Sequence, residues 1–410
     1  MRRIALLIRI AFAAIALTAA AYSALFARAS YLFQQDTAAS VPAAVDLVPY
    51  NSAYLDRLAR WQPSSRIALL HRAVSVNPFD VDSWMQLGMT AEMQQHDTRS
   101  AELYYLHAAE IDRMFLPKWT LTNFYFRQQR PDPFFDWAKA TLAITPYSPD
   151  PVFDEMALMT RDPKRITAAI PDRPPILLFY ASFLSKTHRD SDVVPIVQRL
   201  ITAAGPSNPS GNGRDAIVGP IADRFLATGN LQPAVEIWRS LLTGRWIPFP
   251  VPAPTHPLTN GDFHVPLFAH GFDWMPIGCE GVNIHQAPDQ KELRFRFSGL
   301  EGDHCSLLQQ YIPLQPNLSY RLDWQAEAQG LESPSGFAWH LYSVPPSQRY
   351  LGSADFIASQ AWDFTSPNLS PNSPPPVELF RLVLEYSRAA GVAHPNGTLR
   401  LRLVSLRQNQ

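Results

Sequence analysis

Residues 258–274 read LTNGDFHVPLFAHGFDW, and they follow a long stretch whose apolar spacing is helical. Gly, Asn and Pro at this density cannot continue a helix, because each breaks the backbone ladder or favours a turn. A second domain therefore begins here, and it is the best lead to function.

Downstream the hydrophobic period becomes two. Leu293, Phe295 and Phe297 alternate with Arg294 and Arg296; Tyr320, Leu322 and Trp324 alternate with Arg321, Asp323 and Gln325; Leu399, Leu401 and Leu403 alternate with Arg400 and Arg402. Short strands with one apolar and one arginine-bearing face predict an antiparallel β-sandwich over residues 258–410. Just upstream, IPFPVPAPTHP marks a proline-rich linker, 245–257, expected to hold two domains semi-rigidly apart.

Three phrases give this segment a resemblance. They are Leu258-x-Asn260-Gly261-Asp262-Phe263, then Phe272-Asp273-Trp274, then Gln310-x-Ile312-x-Leu314-x-Pro316-x-x-x-Tyr320-x-Leu322. The segment resembles the jelly-roll carbohydrate-binding modules, the galactose-binding-like sandwiches attached to cellulases and xylanases. The resemblance implies glycan binding. In the family a Glu commonly follows the opening phenylalanine and helps a structural calcium site; His264 stands there in this chain, which puts that calcium in doubt, and no other cofactor is expected. Asn317 replaces the usual turn Gly, a substitution that left-handed backbone tolerates. Sugar binding needs aromatic faces for pyranose C–H groups and polar groups for hydroxyls. The candidates are Trp274, Trp339, Tyr342 and Trp362, with Gln310, Arg381 and Glu385 as polar partners. In GFAWHLYSV, Trp339 shares a face with Phe337 and Leu341, so it is core if Phe337 is, and His340 and Tyr342 take the other face. The arginine-bearing face is an alternative surface for protein or an anionic polymer, since guanidinium forks suit carboxylates.

Upstream, residues 31–244 read as a helical repeat array. Trp84, Leu87 and Gly88 open one helix and Ala101, Tyr105 and Ala108 lie on the next; Trp119 opens another, followed by Phe135, Ala138 and Pro146. The period and the W-x2-L-G phrase resemble the tetratricopeptide repeat, matched well at 84–108 and loosely around 50–78 and 119–146. Helical pairs continue at Ile176–Leu184 with Val193–Ile201, and Ala216–Ala227 with Leu231–Leu242. The glycine-rich GPSNPSGNG at 205–213 lacks a preceding strand and a following Gly-Lys-Ser/Thr, so it reads as a surface loop. The repeat resemblance implies a partner-binding groove lined by Asp82, Met85, Met89, Glu92, Thr120, Phe124 and Arg127.

At the N-terminus, residues 1–30 carry arginines at positions 2 and 3 and an uninterrupted apolar run from Ile10 to Phe26 between Arg9 and Arg28. This predicts a single-pass signal anchor in the inner, cytoplasmic membrane with the bulk of the chain on the outer, periplasmic side. The alternative is a cleaved signal peptide, with Ala27-Arg28-Ala29 as the small-residue site and a secreted product. The two cysteines, Cys279 and Cys305, either form a disulfide or remain as buried thiols. No CxxC is present, and no metal site is expected.

A net charge of −1 and the lack of a dense basic stripe argue against nucleic acid. No HExxH, GxSxG or Walker loop occurs, and Glu301 with Asp303 sits in SGLEGDH, a turn expected to be solvated. The expected fold is multidomain, α then β: a membrane helix, a repeat solenoid and a jelly-roll sandwich. The expected role is non-enzymatic, an envelope protein whose repeats hold a protein partner and whose sandwich binds a polysaccharide during its assembly or export. The alternatives are a pure assembly scaffold with a structural sandwich and, third, a glycan-active enzyme.

Overall fold

The computed structural model describes residues 2–206, 215–331, 336–344, 349–357, 359–369 and 377–409. The chain is α then β, as the change of hydrophobic period predicts, and its contacts divide it into two compact units, Met1–Pro171 and Asp172–Gln410. Most of the glycine-rich stretch 205–213 lies outside the described residues.

The first unit opens with α1 (Arg2–Gln35), long and apolar enough over Ile8–Gln35 to cross a bilayer or to serve as a signal sequence. Ile10, Phe12, Ile15 and Leu17 are all exposed along it. Its last turns do something else. Ala29 is buried in a cluster with Val41, Ala44, Tyr54 and Leu55, Phe33 stacks on Tyr54 at 4.6 Å, and Ser30 Oγ lies 3.1 Å from the Tyr54 hydroxyl. The helix therefore runs unbroken through Ala27-Arg28-Ala29 into the packing of α2 (Ser40–Leu47) and α3 (Ser52–Trp61).

Helix hairpins follow: α3 with α4 (Arg66–Val76), α5 (Val81–Met93) with α6 (Thr98–Ile111), and α7 (Phe115–Arg127) with α8 (Pro131–Leu142). Starts are fixed by side chains that accept orphan backbone N–H groups, Asn51 from Tyr54, Asp80 from Ser83 and Asp97 from Ser100. Helices α5 and α7 begin 34 positions apart, at Val81 and Phe115. The α5/α6 crossing requires Gly88, since a Cβ there would lie 2.4 Å from the Tyr105 ring. The unit closes with α9 (Asp150–Met159) and α10 (Pro163–Ala169).

In the second unit, α11 (Pro174–Lys186) pairs with α12 (Asp190–Ala204), and α13 (Asp215–Ala227) with α14 (Leu231–Thr243). The proline-rich stretch that follows is no spacer. Trp246, Ile247 and Phe249 are buried, Phe249 stacks on Trp238 of α14, and Trp238 Nε1 donates to the Pro250 carbonyl at 3.0 Å. The aromatic-rich loop before the strands completes the same joint. Phe268 and Phe272 meet the Trp238 ring edge-on, while Asp223 of α13 accepts the Gly271 N–H and pairs with His270 Nδ1 at 2.6 Å. The Gly, Asn, Pro and aromatic residues of 258–274 are thus the seat that docks a helix pair against the sandwich.

The strands are β1 (Met275–Pro276), β2 (Val282–Ala287), β3 (Glu292–Ser298), β4 (His304–Leu314), β5 (Ser319–Gln329), β6 (Phe337–Ser343), β7 (Tyr350–Asp355), β8 (Ala361–Thr365), β9 (Glu378–Ser387) and β10 (Asn396–Gln408). They form two five-stranded antiparallel sheets, β1-β4-β9-β6-β7 and β2-β3-β10-β5-β8, which pack as a sandwich. Leu293, Phe295, Phe297, Tyr320, Leu322, Trp324, Leu399 and Leu401 all point inward, as their alternation predicts. Leu403 does not. A bulge between Leu401 and Leu403 shifts the phase of β10, leaving Leu403 half-buried and turning Val404 and Leu406 into the core. The opening motif sits against that bulge: Val404 N donates to the Gly261 carbonyl, and a Cβ on Gly261 would lie 2.1 Å from Val404 O. Asn317 adopts φ +61°, the left-handed turn its position demands. A disulfide joins Cys279, just before β2 of one sheet, to Cys305 on β4 of the other.

Candidate functional site

The strand GFAWHLYSV decides which candidates can meet a ligand, because its alternate residues face opposite ways. Phe337, Trp339 and Leu341 are inside. Trp339 is fully buried among Trp274, Trp324 and Phe356, and Trp274, equally buried, packs on Phe263, so neither offers a face to a sugar. Gln310 is likewise interior. Its amide donates to the carbonyls of Thr259 and Phe272 and to the Thr259 hydroxyl, tying β4 to the opening loop. Trp362 lies half-buried on β8 of the other sheet, with its ring 4.8 Å from Phe364. Period-two patterning tells which residues share a face, not which face is covered, and size made these aromatics core.

The remaining three candidates converge. On the outer face of the β1-β4-β9-β6-β7 sheet, register sets Tyr311, Arg381, Tyr342 and Tyr350 in one row across β4, β9, β6 and β7. A second row contains Gln309, Val383, His340 and Ser353, and a third Ser306, Glu385, Ala338 and Asp355. Tyr342 is the hub. Its hydroxyl donates to Glu385 Oε2 at 3.0 Å, the Arg381 guanidinium lies 5.4 Å from its ring centre, and the rings of His340 and Tyr350 stand 6.1 and 6.0 Å away. Ser306 Oγ donates to the other Glu385 oxygen at 3.2 Å, and Arg381 Nη1 reaches Gln309 Oε1 at 3.4 Å.

Burial, followed by the Glu385 charge, pushes the Tyr342 hydroxyl up to about 12, so it stays a donor at neutral pH. Burial holds the His340 imidazole below its ordinary value against the opposing pull of Glu385, 3.8 Å from its Nε2. The row is closed at one end and open at the other. Tyr311 is buried, with Asp223 of α13 within electrostatic reach, whereas Tyr350 is 52% exposed. Such a face can stack an apolar ring surface on tyrosine and offer a carboxylate, a guanidinium and amides to hydroxyl groups. The alternation puts His340 outward beside Tyr342, whereas nothing in the sequence ties Tyr350, Ser306 or Gln309 to them. Only β-pairing over long sequence separations brings them together.

The helical candidates divide similarly. Asp82 and Met89 are exposed and Met85 and Thr120 half-buried, but Phe124 is core, edge-on to Tyr105 at 5.5 Å. Glu92 is buried. It accepts the Tyr105 hydroxyl and a bidentate pair of bonds from Arg127 at 2.8 and 2.9 Å, so these two side chains bind α5 to α7 rather than standing free for a partner. Nearby on α9, burial pushes Glu155 up to about 7, opposed by Arg127.

The SGLEGDH turn is less open than expected. Glu301 is buried, accepting the Gly299 N–H at 3.1 Å, and His394 stands 3.8 Å from both it and Asp303, which also pairs with Arg388 at 2.6 Å. At the opening motif Asp262 Oδ1 is engaged by His264 Nδ1 at 2.8 Å. Among the described residues no three His, Cys, Asp or Glu side chains converge as a metal ion requires. No protein-family model matches the chain, and no curated protein matches it either.

Proposed function

We propose that the chain is a non-catalytic, membrane-anchored envelope protein whose sandwich binds a glycan on the outer face built around Tyr342, while its helical hairpins hold a protein partner. The observation that carries this reading is the tyrosine row with Glu385 and Arg381 beside it: aromatic surface flanked by hydroxyl-bonding groups, bounded by a helix at one end. The Gly88 crossing and the repeat of helix starts at Val81 and Phe115 support a tetratricopeptide-like first unit. The two five-stranded sheets and the Gly261 seat support a carbohydrate-binding-module-like second unit. Entry of α1 into the bilayer with arginines on the cytoplasmic side would leave the remainder in the periplasm, where the disulfide is at home.

The burial of Trp274, Trp339 and Gln310 favours a second reading, an assembly scaffold with a structural sandwich. The full chain in detergent micelles, screened on a glycan array beside Tyr342→Ala and Tyr350→Ala, separates them. Binding lost by folded variants supports the glycan reading; no glycan retained by the parent leaves the scaffold.

A further inference from the structure

The opposite outer face of the sandwich is built from guanidinium groups, and their charges are unequally answered. Register sets Asn283, Arg296 and Thr398 side by side across β2, β3 and β10, and His285, Arg294 and Arg400 in the next row. These six line a shallow concavity of about 550 Å³. Arg294 is engaged by Glu292 and Gln290, and Arg402, one row on, pairs with Glu292 at 3.2 Å and Glu327 at 3.0 Å. Arg296 is exposed and forms no ion pair among the described residues. Arg400 Nε is buried and meets no acceptor among the described residues, though its charge reaches Glu292 at longer range.

We infer that this concavity binds the carboxylates of an acidic, uronate-bearing polysaccharide, at a site distinct from the Tyr342 face. Arg296, exposed and set across the strands from Asn283 and Thr398 rather than from a carboxylate, is the guanidinium an arriving oxyanion can reach, and neighbouring Arg400 adds its charge. Planar forks from Arg296 and Arg400 suit a carboxylate in bidentate geometry. Asn283 and Thr398 beside them supply amide and hydroxyl groups for sugar hydroxyls. Four guanidinium groups face two carboxylates, a modest positive excess suited to one or two uronates rather than a dense phosphate polymer. Phe297 is buried, so along the concavity the exposed ring among the described residues is the His285 imidazole, with no Phe, Tyr or Trp face for a run of stacked nucleobases.

The test uses the full chain in detergent micelles, titrated with polygalacturonate, fully methyl-esterified pectin, polyphosphate and double-stranded DNA. Expected is binding to polygalacturonate that weakens steeply with salt and falls about tenfold or more in Arg296→Ala/Arg400→Gln. Arg407→Ala, on the same face but paired with Asp323, is expected to leave it unchanged. Arg296→Ala alone, at an exposed position, carries the test if the double variant melts early. The inference is overturned if the parent does not bind, if the folded variants bind as tightly, if the esterified polymer binds equally, or if polyphosphate or DNA outcompetes polygalacturonate. Loss of binding in Tyr342→Ala with the arginine variants intact would move the anion to the other face, overturning this site while leaving the proposed function standing.

Discussion

The two outer faces of the sandwich grow from the same alternating pattern yet end as different surfaces. On the face of Tyr342 the charges answer one another: Glu385 receives Tyr342 and Ser306, and Arg381 lies over the ring, although His340 Nδ1 is buried without a partner among the described residues. On the face of Arg296 and Arg400 the cations outnumber their carboxylates, and a buried donor is left over. Alternation assigns a residue to a face; its cross-strand neighbours decide whether its polarity is spent internally or remains for a ligand.

The sharpest way to break the inner-versus-outer division is Trp339→Ala. Removing a fully buried indole is expected to cost about 3–5 kcal/mol in denaturant unfolding. A loss as small as that at an outward position would mean Trp339 is not core. Next comes the tie between the sheets. Replacing Cys279 and Cys305 by Ser frees a loop spanning 26 positions, with an expected loss of about 3 kcal/mol in the unfolding free energy measured without reductant. Smaller again, Tyr342→Phe removes one hydrogen bond to Glu385 and should cost about 1 kcal/mol, whereas Arg407→Ala on the opposite face, an exposed pair, should stay within about 0.5 kcal/mol.

The smallest effect is in pH. The folded state resists protonating His340, so below the ordinary imidazole range the unfolded chain binds the extra proton and stability falls with falling pH. His340→Gln should flatten that slope between about pH 7 and 5 relative to the parent melting curve. An unchanged difference curve would place the imidazole in water and weaken the account of the Tyr342 face.

Much of the fold was legible because it is written in local chemistry: Asp80 and Asp97 cap helices, Gly88 permits a crossing, and Leu293, Phe295 and Phe297 keep their period of two. The phase shift at Leu403 was missed although polarity marks it: the apolar positions move to Val404 and Leu406, with Ser405 and Arg407 outward, where the bulge meets Gly261. The candidate site was half legible. Tyr342, Arg381 and Glu385 were named and meet, but Trp274, Trp339 and Gln310 were named and are interior. The polar character of Gln310 serves the buried carbonyls of Thr259 and Phe272, a need invisible without the loop that crosses it.

Helix α1 carries its apolar stretch and its docking residues on one rod with no Gly or Pro between Ile8 and Gln35. A rod of that kind, about 1.5 Å per residue, has no swivel. Because Ala29 and Phe33 are wedged into the packing of α2 and α3, any tilt or rotation of the apolar stretch is delivered to those helices as torque. The first hairpins therefore ride the N-terminal helix as a blade rides its shaft, with an aim fixed by whatever layer grips the other end.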